Sequence, residues 1–94
     1  MQITIEQFIK ETQERLEPFS YMYELDNEFK QTAIGVKVKA YGDQRINLHG
    51  EVGLRTVLMH SISLNDVKEI DKDTRGSTIT YRLVGHNGFV MTLT

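Results

Sequence analysis

Between Thr32 and Tyr41 the side chains alternate: Ile34, Val36, Val38 and Ala40 fall on one side, Gly35, Lys37, Lys39 and Tyr41 on the other. A period of two is the period of a strand, whose successive side chains point to opposite faces of a sheet. The rest of the chain agrees. Nine Thr, eight Ile and seven Val stand against two Ala, and branching at Cβ suits a pleated surface better than a helix. Most of the chain therefore reads as sheet.

The N-terminus is the exception. Thr4-Ile5-Glu6-Gln7 has the spacing of a capping box, with Ile3 and Phe8 placed for a hydrophobic staple. Ile5, Phe8, Ile9, Thr12 and Leu16 form one narrow helical stripe. Pro18 disfavours helical geometry at Glu17, so a helix is expected over residues 5–17. Beyond it, Phe19, Tyr21, Tyr23 and Leu25 alternate as a strand, although Phe19, Met22 and Tyr23 also suit a short second helix.

Strands are further expected at Arg45–His49, Leu54–Leu64, Ser77–Val84 and Phe89–Thr94, the second of them long enough to carry a bulge. Asn65–Ile70 is open between strand and helical turn, and Asp71–Gly76 reads as a polar turn. Gly85-His86-Asn87-Gly88 carries the Asn-Gly signal of a type I′ hairpin. Together these predict an α+β fold: an N-terminal α-helix on one face of an antiparallel sheet of five or six strands, largely joined as hairpins and meanders. Ninety-four residues without a linker or repeat make one domain, 1–94.

Several functions drop out early. With no cysteine there is no disulfide framework, thiol nucleophile or cysteine-held metal. His49-Gly50-Glu51 matches half of the zinc deaminase pattern, whose other half needs P-C-x-x-C. Asp71-Lys-Asp73-Thr-Arg75-Gly76 opens like a calcium loop, but Arg75 and Arg82 occupy ligand positions and would repel the ion. His49, His60 and His86 show no metal-ligand spacing, and His60, on an apolar strand face, reads as a half-buried histidine bonded to a neighbour. No nucleophile elbow or phosphate loop occurs. No apolar run approaches the ~20 residues of a membrane helix, and no secretory signal opens the chain. A cytoplasmic protein without cofactor or metal is expected.

The net charge of −2 hides an uneven distribution: residues 1–30 carry seven acids and three bases, residues 31–60 two acids and four bases. Lys37, Lys39 and Tyr41 share one strand face, with Arg45, Arg55 and Arg82 as candidate neighbours. Tyr21 and Tyr23, with Phe19, form the densest aromatic segment and suit either a sheet core or a protein interface. The expected interaction residues are Tyr21, Tyr23, Lys37, Lys39, Tyr41, Arg45 and Arg55. The expected function is a small non-catalytic protein-interaction module (accessory, inhibitor or assembly protein) that self-associates or holds a protein partner. It rests on the missing site chemistry and on a final strand expected at a sheet edge. The alternatives are a binding or catalytic pocket between helix and curled sheet, and single-stranded nucleic-acid binding on the Lys37–Tyr41 face. The last is disfavoured by the overall negative charge.

Overall fold

The computed structural model describes residues 1–94. Its elements are β1 (Gln2–Ile3), α1 (Ile5–Glu14), β2 (Phe19–Leu25), β3 (Phe29–Tyr41), β4 (Arg45–Val52), β5 (Arg55–Ser63), β6 (Val67–Arg75), β7 (Thr78–Gly85) and β8 (Phe89–Leu93), with a 3-10 turn at Leu64–Asp66. The α+β class, the helix position and the antiparallel pairing agree with expectation, but the sheet has eight strands instead of five or six. Two strands account for the difference. β1 holds only two residues, paired with Asp71 and Ile70, too few to show a period. β6 occupies the stretch read as an ambiguous segment and a polar turn. Its charged residues lie on both faces and Val67 and Ile70 alone are buried, so it has no apolar alternation to detect.

The strand order is β1-β6-β7-β8-β2-β3-β4-β5. Two meanders, β6-β7-β8 and β2-β3-β4-β5, meet where β8 pairs with β2. The last strand is therefore central, flanked by β7 and β2, and the expectation that it forms an edge is corrected. The edges are β5 on one side and β1 with the free part of β6 on the other.

The sheet curls. Tyr21 on β2 and His60 on β5 are three strands apart in the order, yet the Tyr21 hydroxyl lies 2.7 Å from His60 Nδ1. The concave face holds one core that includes Phe19, Tyr21, Val36, Leu48, Leu83 and Met91, closed at one end by Phe8 of α1. The bend in β3 sits at Gly35, where Ile34 and Gly35 lie opposite the single residue Ser20. This is a β-bulge with its glycine at φ +69°, a left-handed geometry that glycine reaches without a Cβ clash. The extra residue reverses the faces: Ala33 before the bulge and Val36 and Val38 after it point inward. Ile34, expected beside Val36, is 83% exposed.

The helix begins where expected, with the Thr4 hydroxyl accepting from the Gln7 N–H, but the Gln7 side chain donates to Glu11 instead of completing the capping box. It ends earlier, at Glu14, because Arg15 turns extended. The Arg15 guanidinium donates to the Glu17 and Pro18 carbonyls and lies 3.9 Å over the Phe19 ring. Leu16, assigned by period to the apolar stripe, is 90% exposed as a result. Beyond Val36, β3 parts from β2, and Gln13 of α1 takes the missing strand's place. Its amide donates to the Val38 carbonyl and accepts from the Ala40 N–H.

Candidate functional site

Register places four of the seven expected surface residues together. β3 pairs Lys37 with His49, Lys39 with Asn47 and Tyr41 with Arg45. β4 in turn pairs Arg45 with Ser63, Asn47 with Ser61 and His49 with Leu58. Directly opposed residues share a face, and the intervening Val36, Ile46, Leu48 and Ile62 are buried. The convex face of β3–β4–β5 is thus a three-by-three platform: Tyr41, Arg45, Ser63; Lys39, Asn47, Ser61; Lys37, His49, Leu58.

The platform carries three cations and no carboxylate. Arg45 donates to Ser61 Oγ at 2.8 Å, and Ser61 donates to Asn47 Oδ1 at 2.6 Å, a chain that ties the guanidinium to the two neighbouring strands. Lys39 Nζ stands 5.4 Å from the centre of the Tyr41 ring, which is 46% exposed. The three ion pairs of the molecule, Met1–Asp71, Lys72–Glu11 and Arg75–Asp73, use none of these cations. His49 Nε2 is the one buried side-chain polar atom without a partner.

The other expected residues lie elsewhere. Tyr21 belongs to the core at 3% exposure, which corrects its assignment to a surface. Tyr23 is half-buried on the same concave face, stacked on Phe89 and tilted 4.3 Å from the His60 ring. Arg55 sits at the tip of the β4–β5 hairpin opposite Val52. Arg82 is on β7, paired with Asp71 and Thr92, beside a groove of about 480 Å³ that also holds Glu24 and Asp26. His49 and His60 face opposite sides of the sheet, because His60 pairs with Leu48, the inward neighbour of His49, while a second bulge, at Met59, brings Leu58 opposite His49.

The hairpin tip escaped the sequence reading. β3 pairs with β4 only as far as His49, so Gly50–Val57 pair with nothing but each other. Val52, Leu54, Val57 and Leu58 are all exposed there. A run read as one long strand, Leu54–Leu64, gave no sign that its first half leaves the body of the sheet.

Two buried polar clusters frame the inside. Burial lowers the His60 pKa and pushes Tyr21 up to about 12. The imidazole is therefore neutral near pH 7 and shares a hydrogen bond with the Tyr21 hydroxyl, which also lies 3.4 Å from Gln31 Oε1. At the other end, Glu11 accepts from Lys72, Tyr81 and Gln7. Partial burial alone would raise its pKa, but these donors outweigh it and hold the carboxyl at about 2. Tyr81 is raised by burial and by the same carboxylate. This cluster pins α1 to β6 and β7. No surface depression is lined by His60, Tyr21 or Tyr23, and no group of three His, Asp or Glu is close enough to hold a metal ion. No helix is long and apolar enough to cross a membrane.

No protein-family model, curated protein or solved structure matches this chain.

Proposed function

We propose that this protein is a non-catalytic interaction module that self-associates through β5. One observation carries the reading: apolar side chains are exposed on a free-standing hairpin whose outer strand is a sheet edge. The two edges of the sheet differ in kind. β6 is covered in part by β1 and carries Lys68, Glu69, Asp71, Lys72, Asp73 and Arg75, the charged character that deters edge-to-edge pairing. β5 carries no charge from Thr56 to Ser63 apart from the inward, neutral His60. Its N–H and C=O groups offer a template for strand addition, and the bulge at Met59 confines that template to its two halves.

A second copy is the occupant that the composition of β5 favours. Two β5 strands paired antiparallel about a two-fold axis form an isologous contact, with the two Arg55 side chains at opposite ends, so like charges do not meet. Val57 and Leu58 of each copy then gain cross-strand neighbours from the other copy. Light scattering at ~100 μM, in the range where a contact of modest area is populated, is expected to give twice the chain mass. Val57→Lys, which puts a lysine on the edge, is expected to give the single-chain mass. A single-chain mass for the unaltered protein overturns the reading.

A further inference from the structure

We infer that the convex platform of β3–β4–β5 binds single-stranded nucleic acid, with phosphates on Lys37, Lys39 and Arg45 and a base stacked on Tyr41. The inference is independent of self-association, since one copy carries the whole surface.

Three features point to this ligand. The first is local charge. All thirteen acidic residues lie off the platform, and only Asp43 and Glu51 flank it in sequence. The acids responsible for the net charge of −2 are concentrated in residues 1–30. Charges more than about 10 Å away are largely screened at 0.1 M salt, so an approaching polyanion meets the three cations together with their near neighbours Asp43, Glu51 and Glu17, the last of which lines one depression with Lys37, and not the molecular average.

The second is shape. Lys37, Lys39 and Tyr41 are alternate residues of one strand, spaced about 6.8 Å apart. They form a straight row with the exposed ring at its end. The platform extends about 10 Å across its three strands, which accommodates a few nucleotides of one chain. Single-strand binders combine a cationic track with aromatic platforms for bases in this way.

The third is the chemistry between the charges. Arg45 is held by Ser61, itself bonded to Asn47, and not by a carboxylate, so its remaining N–H groups are free for a phosphate without an ion pair being broken. Asn47, Ser61 and Ser63 supply amide and hydroxyl groups at the level of a stacked base. An acidic peptide would satisfy the cations equally well but gives the exposed Tyr41 ring no flat partner, and this separates the two ligands experimentally.

The test is fluorescence anisotropy with labelled oligo-dT of roughly 12 nucleotides at ~50 mM salt. Three phosphate contacts predict a slope of about −2 for log affinity against log salt, from roughly 0.7 per contact on a single strand. Lys39→Gln is expected to reduce the slope to about −1.4, and Tyr41→Ala to weaken binding about tenfold at every salt concentration. Both side chains are exposed, and circular dichroism of each variant checks that it is folded. Absence of binding at ~50 mM salt overturns the inference, as does binding that neither variant alters. Displacement by poly-glutamate as effective as displacement by unlabelled oligo-dT overturns it in favour of an acidic protein ligand.

Discussion

His60 shows how one residue's surroundings set the behaviour of the molecule. Its ring is clamped between the Tyr21 hydroxyl and the Tyr23 ring, and burial lowers its pKa from the ordinary 6.5. The folded protein therefore binds fewer protons at this site than the unfolded chain. Its contribution to stability is fully present above pH 6.5 and falls away as the pH drops below that value towards the lowered folded pKa. Denaturant midpoints measured from pH 7.5 to pH 5 are expected to decline for the unaltered protein. His60→Gln, which can still hydrogen-bond the Tyr21 hydroxyl and cannot be protonated, is expected to flatten that decline. A midpoint that does not change between pH 7 and pH 5 in the unaltered protein would refute the assignment. That His60 would be half-buried and bonded was legible in the sequence, because its strand face is apolar. Its partner was not, because Tyr21 reaches it across the curl of the sheet, and no local pattern records a contact over 39 residues.

At the scale of elements, the period-two reading succeeded within strands and failed at their irregularities. Lys37, Lys39 and Tyr41 were correctly placed on one face, and pairing with β4 then added Arg45, Asn47 and His49. The alternation runs through Gly35, however, where a single inserted residue reverses inside and outside; this is why Ile34, on Val36's side by period, is exposed. A bulge in the long Leu54–Leu64 run is expected from its length, and it falls at Met59, which puts Leu58 on the convex face and His60 on the concave one. Turns were recognised by position more than by type. Asp26-Asn27 has both φ values positive, as a type I′ turn requires. At Gly85–Gly88, only Gly88 is left-handed, and its N–H closes back on the Gly85 carbonyl, a three-residue loop with a glycine bulge instead of the expected type I′ turn. Gly35 tests the importance of the bend. A Cβ there meets no atom within 4 Å, so Gly35→Ala isolates the backbone cost of the left-handed conformation, about 1–2 kcal/mol. Chemical denaturation is expected to show that loss with an unchanged slope. A loss below about 0.5 kcal/mol would mean that β3 bends equally well without glycine at this position.

At the scale of the whole molecule, the free edge and the cationic platform belong to the same three strands. Pairing β5 with β5 of a second copy continues the sheet, so the convex faces of the two copies become one six-stranded surface with six cations. The two proposals are separate but linked by geometry, and the linkage has a measurable consequence. A strand long enough to cross both platforms binds its second site intramolecularly, at an effective concentration set by the spacing of the platforms. A strand covering one platform gains nothing from the second copy. The ratio of affinities for oligo-dT of roughly 20 and roughly 6 nucleotides is therefore expected to be large at protein concentrations where the pair forms, and to collapse in Val57→Lys. Comparing two lengths on the same protein cancels the charge that the new lysine adds. If the ratio survives in Val57→Lys while light scattering reports a single chain, the long strand must be held by one copy alone, and the two faces are not joined through β5.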